Sequence, residues 1–274
     1  MWFKSKKKEE ESPDEITTKE FFDIIAKIVQ MAIQLTTPLR RWLTVQEIYS
    51  PKDPGNTKMS RLRALHILCA ILNLTRGICI AKRTMTQAEK YNHLDDAQYG
   101  GQKGREAIEP AVIKILTVEI CHLQRSNAAF TGCGAKACYD RIIPAVSALL
   151  KTKAGCPEKV STLLAKTLKE LEYHPTTAKG AAECYSKHTE KCPGYGTGQG
   201  VKDSPGKWTL VDNNIIKQHK KWAIGLLMYD PIGSVKTKQC LVNFVDNATL
   251  LHNLANVSNL KPKDLMEIVK YNTT

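Results

Sequence analysis

The sequence predicts an α+β domain. Three observations carry this. Five stretches have helical length or helical apolar spacing. A few short β-like runs are interleaved with them, and hydrophobic residues make up 42% of the 274 positions, enough for a buried core. The length permits one large domain or two small ones.

Residues 1–16 are expected to form a charged, flexible tail, with a run of Lys followed by a run of Glu. Lys6-Lys7-Lys8 is a weak nuclear-address signal. Residues 17–48 are expected to be an N-terminal helical segment. Thr17 and Glu20 have capping-box spacing, and the pairs Phe21-Phe22, Ile24-Ile25, Ile28-Val29 and Ala32-Ile33 make one apolar face. This predicts a helix over Thr18–Leu35, bounded by Pro38. Residues 49–274 are expected to form the main domain. Ser50–Asn56 reads as a loop and Leu62–Ile80 as a buried helix. Glu109–Gln124 is a helix with Ile113, Leu116, Ile120 and Leu123 on one face; helical stretches follow from Ile142 to Leu150 and from Val160 to Leu171. The β-like runs are Ala128–Thr131, Trp208–Val211 (ambiguous) and Leu241–Leu251. Val211–Lys221 is more polar than a buried helix should be, which reads as relaxed constraint.

Forty Lys and Arg stand against 27 Asp and Glu, a net charge of +13. That excess suits a polyanion such as nucleic acid, and equally a solvated basic surface or an anionic membrane. Phe21–Leu35 is too short and too charged to span a bilayer. The nine cysteines are odd in number and scattered, with no secretory signal before them. Reduced thiols in the cytoplasm or nucleus are therefore expected. Cys184, His188 and Cys192 are evenly spaced, but a structural zinc site needs a fourth ligand and none is adjacent.

Five blocks carry chemistry. Thr197-Gly198-Gln199-Gly200-Val201-Lys202-Asp203-Ser204-Pro205 places Gln-Gly three residues before Ser-Pro. Downstream, Leu241–Leu251 has two apolar runs around Asp246-Asn247, a pair suited to a hairpin tip, although an ordinary surface turn reads the same way. Upstream lies Gly134-Ala135-Lys136-Ala137-Cys138-Tyr139-Asp140. Before it come Gln98-Tyr99-Gly100-Gly101-Gln102-Lys103-Gly104-Arg105 and Ser60-Arg61-Leu62-Arg63-Ala64-Leu65, the latter continued by Ile71-Leu72-Asn73.

In this order the blocks resemble reverse transcriptases of the non-LTR retroelement type, with Tyr195–Gly200 as the central Tyr-Gly-Thr-Gly-Gln-Gly motif. The resemblance implies polymerase-like fingers and palm, with a small antiparallel palm sheet packed on helices. It implies a thumb that is absent here, since the chain stops at Thr274. It makes Asp246 the remaining metal-ligand carboxylate, while Gly134 and Asn247 stand where the family has Asp. Arg63 aligns with the triphosphate-binding arginine, a guanidinium whose fork pairs two phosphate oxygens. Tyr139 aligns with the steric gate against a ribose 2′-hydroxyl, a place compatible with simple packing. Gln199 and Gly200 align with the nucleotide- and template-positioning pair, and Arg105 and Lys136 with nucleic-acid contacts. Gln102 stands where an Arg is usual. The implied cofactor is Mg²⁺. The implied partners are an RNA template, a DNA primer and deoxynucleoside triphosphates, with no membrane. The expected function is a retroelement-derived RNA-directed DNA polymerase domain with impaired or no catalysis. The alternatives are a non-catalytic nucleic-acid-binding protein that keeps the basic cleft, or a working polymerase completed by another chain.

Overall fold

The computed structural model describes residues 17–55, 58, 61–177, 180–191, 193–230, 232–234 and 236–253. The charged 1–16 stretch, Ser60, Cys192 and positions 254–274 lie outside the described residues. The chain is mixed α+β, with helices around small sheets.

Helix α1 (Thr18–Leu35) starts as the sequence predicts: Glu20 N donates to Thr17 Oγ1 and Thr17 N donates to Glu20 Oε2, the reciprocal capping box. It ends at Thr36 in the left-handed region, φ 48°. Strands β1 (Thr44–Pro51) and β2 (Leu62–Ile67) pair antiparallel, Ile48 opposite Leu65. Two expectations are corrected here. Leu62–Ile67 is a strand, not the first turns of a helix; its burial alternates residue by residue, a period-two pattern that a short apolar run hides. The expected helical segment 17–48 runs into β1, whose Thr44 and Val45 begin a sheet.

The helical stretch that follows Leu68 is composite. It comprises α2 (Ala70–Leu74), eight residues with π-type bonding (Thr75–Lys82) and α3 (Arg83–Lys90). After it come α4 (Ile108–Leu123), β3 (Ala128–Gly134), a 3-10 turn at Cys138–Arg141, α5 (Pro144–Lys153) and α6 (Glu158–Glu170). Strand β4 (Glu172–Thr177) lies parallel to β1 and pairs with two short strands, β5 (Gly180–Ala181) and β6 (Ser186–Lys187). The resulting mixed sheet, ordered β2-β1-β4-β5, shares a core of Ala32, Trp42, Val45, Leu68, Leu163, Tyr173 and Val201.

Helix α7 (Ser204–Trp222) contains the ambiguous Trp208–Val211 run, which is helical because Pro205 sits in its first turn. Strands β7 (Leu226–Tyr229) and β8 (Lys236–Gln239) form a separate antiparallel pair. Strands β9 (Leu241–Phe244) and β10 (Asn247–Asn253) complete an antiparallel sheet ordered β3-β10-β9. Both faces of this sheet are covered. Leu241 and Leu250 pack on Ile216 of α7, while Val242 and Leu251 pack near Cys121 and Ile113 of α4. On its other side α4 is bare: Ile108, Ile115 and Leu123 are 61%, 62% and 80% exposed. Among the described residues, no helix is long and apolar enough to cross a membrane. The eight described cysteines are unpaired.

Candidate functional site

The hairpin β9–β10 positions the one acidic side chain expected at its tip. Phe244 pairs with Asn247, so the two turn residues are Val245 and Asp246, one position earlier than the Asp246-Asn247 tip expected from sequence. Val245 takes φ 58°, a region that β-branched side chains disfavour. Its backbone is clamped: Trp208 Nε1 of α7 donates to Val245 O at 2.7 Å. A Cβ on Gly100 would lie 2.3 Å from Val245 N, so only glycine lets the 97–100 segment approach this closely. That segment extends the sheet, with Tyr99 N donating to Asn243 O and Asn243 N to Ala97 O, both at 2.9 Å.

Gly134 lies directly across from Asn247 on the neighbouring strand, and Ala135 N donates to Asp246 O at 2.8 Å. The structure therefore brings Gly134, Asp246 and Asn247 together. Tyr139 and Cys138 follow in the 3-10 turn. Burial raises both their pKa values, and the Asp246 carboxylate adds to the rise in each, so the phenol and thiol sit within its field.

The glycine-rich loop 195–200 lies against this turn. Thr197 N donates to Tyr139 O at 2.8 Å and Gly196 N to Ile142 O at 2.6 Å. On its other side Gln199 O accepts from His66 N of β2 at 2.8 Å, and Gln199 bridges to Leu65. Gly198 passes over the His66 ring, where an added Cβ would meet Nδ1 at 1.9 Å. Asn73 closes the loop: its Oδ1 accepts from Lys202 N at 2.9 Å, and its Nδ2 donates to Gly200 O at 3.4 Å. The five blocks, far apart in sequence, thus interlock through hydrogen bonds and close glycine contacts.

The remaining candidates are placed as follows. Arg63 is exposed on β2, two residues before Leu65, and Lys136 is exposed after β3. Arg105 is committed elsewhere, donating to Glu109 at 2.8 Å with its guanidinium 5.1 Å from the Tyr99 ring centre. Gln102 donates to Gln98 O, which gives that residue a local role. His188 Nε2 pairs with Tyr173 OH at 3.0 Å, and no cluster of three metal-ligating side chains occurs among the described residues, of which Cys192 is not one.

Two buried polar groups escaped the sequence reading. Gln98, Asp212 and Asn243 lie behind the hairpin. Gln98 Nε2 donates to Asp212 Oδ2 at 2.6 Å, and Asn243 Nδ2 donates to the same oxygen at 2.5 Å. Burial raises Asp212 to a pKa of about 6, against the two hydrogen bonds that lower it. Asn213 is also satisfied, accepting from Asp95 N at 2.7 Å and donating to His93 O at 2.9 Å. Part of the polarity of Val211–Lys221 is therefore the paired interior of Asp212 and Asn213, which relaxed constraint does not explain, while Asn214, Gln218 and Lys221 are exposed. The second group surrounds Asp203, which is fully buried. Arg76 Nε, Lys151 Nζ and Lys207 Nζ lie 2.9, 2.7 and 3.2 Å from its carboxylate. Burial pushes Asp203 up, but the three cations outweigh it and hold the carboxyl well below its ordinary range. The helical i,i+4 spacing of Asp203 and Lys207 was the available sequence signal.

Magnesium does not fit the site well. Of positions 134, 246 and 247, only Asp246 carries a carboxylate, and Asn247 Nδ2 sits 3.3 Å from its Oδ1. Asp212 lies behind the hairpin, where Gln98 and Asn243 donate to its Oδ2. One carboxylate does not make a site for a pair of divalent ions.

Comparison with solved structures gives the fold an independent relative. A telomerase from Candida tropicalis, in complex with a TWJ fragment of telomeric RNA, superposes with a TM-score of 0.54 at 9% identity, over 92% of this chain and 41% of that one. The fold resembles that of telomerase. A Candida albicans telomerase with a TWJ fragment of telomeric RNA gives 0.51 at 9% identity, over 93% and 42% of the two chains. Apo telomerase from Candida tropicalis, truncated from its C-terminal domain, gives 0.54 at 10%, over 92% and 51%. Telomerase catalytic subunits are reverse-transcriptase-like, and the likeness of this chain to them is one of fold. This chain spans about half or less of the length of each telomerase. No protein-family profile matches the sequence, and no curated protein is similar to it.

Proposed function

We propose that this chain is a reverse-transcriptase-type fingers and palm domain, derived from a retroelement, that binds RNA template and DNA primer with little or no nucleotidyl transfer. The observation that carries this reading is the pairing of Gly134 with Asn247 beside a lone Asp246 carboxylate. Nucleotidyl transfer uses two metal ions about 4 Å apart. Two such dications repel by roughly 17 kcal/mol at an effective dielectric of about 20. A single carboxylate and an incoming triphosphate offset too little of that, and glycine offers no ligand to bridge the ions. Binding needs no metal. Arg63 and Lys136 are exposed, and the chain carries +13 overall, so phosphate contacts remain available. In this reading Tyr139, Gln199 and Gly200 form the nucleotide side of the cleft. Arg105, tied to Glu109, contributes to the field rather than to a direct contact.

The test combines primer extension with template–primer binding. The native chain is expected to bind an RNA–DNA template–primer with an affinity that falls steeply between about 50 and 200 mM salt. It is expected to show no extension with Mg²⁺ or Mn²⁺. Gly134→Asp with Asn247→Asp supplies the two missing carboxylates. There is room for the first, because a Cβ at Gly134 meets nothing closer than Asn247 Oδ1 at 3.5 Å. Extension by the native chain overturns the non-catalytic assignment. Failure to bind template–primer at low salt overturns the binding assignment.

A further inference from the structure

The three cations around Asp203 are not balanced. Arg76, Lys151 and Lys207 are 1%, 3% and 6% exposed, and a single carboxylate faces them, leaving two positive charges in excess in the interior. An uncompensated buried charge costs several kcal/mol, so such a cluster calls for a counter-charge or for loss of a proton. A cavity of about 20 Å³ lies against this cluster, bordered by Ile142, Ser147, Lys151, Ser161, Gly196 and Lys207. That is room for one particle near the size of a water molecule. Three of its lining residues, Ser147, Lys151 and Lys207, carry hydrogen-bond donors. Ser147 and Lys151 are one helical turn apart on α5 and share a face. The Ser147 hydroxyl is buried with no hydrogen-bond partner among the described residues. An ammonium has three N–H bonds; Lys151 directs one at Asp203, and Lys207 directs two, at Asp203 and at Thr197 Oγ1. The recess also has a way in. Pro144, Ala165 and Leu168 border both it and a larger pocket of about 670 Å³ beside Tyr195.

We propose that this recess binds a small monovalent anion, chloride being the obvious occupant, held by the Ser147 hydroxyl and the Lys151 and Lys207 ammonium groups. A water molecule would satisfy the hydroxyl but leave the excess charge in place. Burial, and then repulsion from Arg76, push the Lys207 pKa well down, as expected for a site whose counter-ion is missing. The anion would sit directly behind the 195–200 loop, because Lys207 also holds Thr197 and Ser204 Oγ donates to Gly198 O at 2.9 Å.

Thermal unfolding of the native chain in sodium chloride against sodium gluconate, at constant ionic strength, tests this. A saturable rise in Tm of about 2–4 °C is expected once chloride reaches several times its Kd. Ser147→Ala should fold normally and need several-fold more chloride for the same rise. Crystals soaked in bromide should show an anomalous peak within hydrogen-bond distance of Ser147 Oγ, Lys151 Nζ and Lys207 Nζ. Equal Tm in both salts, or a bromide-soaked crystal with no anomalous peak in the recess, overturns the proposal; the crystal decides it even if a variant fails to fold.

Discussion

Asp203 holds together groups from three parts of the chain, and its neighbours are not equivalent to it. Asp203→Asn leaves three buried cations with no opposing charge and should cost at least about 3–5 kcal/mol. Lys207→Met removes one excess charge and keeps Arg76 and Lys151 on the carboxylate, so it should cost under about 2 kcal/mol. Urea unfolding of the two variants measures this asymmetry; equal losses would show that the excess charge is already neutralised. Asp212 gives a pH signature. Its folded pKa of about 6 lies above the ordinary aspartate value of about 3.9, so the folded state holds the extra proton between those limits. The associated stability is fully present well below about pH 3.9 and is lost as pH rises through about 6, amounting to roughly 3 kcal/mol. Asp212→Asn keeps an acceptor for Gln98 and Asn243 and should flatten that slope in denaturant midpoints measured from pH 4 to 7. Neither carboxylate could be ranked from sequence. Asp203 lies inside the Gln-Gly…Ser-Pro block, but Arg76 and Lys151 reach it only through tertiary packing, and Gln98 meets Asp212 across 114 residues.

Hairpin β9–β10 shows how far local pattern reaches. Two apolar runs around Asp246 predicted the element, and its second strand pairs with β3, which sets Gly134 across from Asn247. The register of the tip was not legible, because Val245 is a poor turn residue by its own preference. Its left-handed backbone is imposed by Trp208 and by the approach of Gly100. Gly100→Ala should therefore cost about 1–3 kcal/mol, as overpacking against a backbone atom does, and should loosen Asp246. Hydrogen exchange at the amides of β9 and β10 would report it; unchanged protection would mean the 97–100 segment does not clamp the turn. Strand β2 was misread for a related reason. Six residues alternating between half-buried and exposed look helical when an apolar helix follows immediately. Strands β1 and β4 carried too little apolar alternation to stand out, Pro175 within β4 among the obstacles.

The architecture as a unit was the most legible level, since helices interleaved with short strands are enough for the α+β class, and block order suggested which segments meet. The division near position 48 was not, because one core joins Ala32 and Trp42 to Leu163, Tyr173 and Val201. Loss of a buried Trp alone costs about 3–5 kcal/mol, a large share of a typical stability of about 5–15 kcal/mol. A chain starting at Thr44 should consequently lose its cooperative melting transition in calorimetry, whereas one starting at Thr17 should keep it. The outward side of α4 has a practical consequence. A helix with Ile115 and Leu123 bared to solvent, and a single exposed acid, Glu119, between them, offers neighbouring molecules an apolar stripe, so purification will favour dilute samples, and clouding on concentration will begin at that helix.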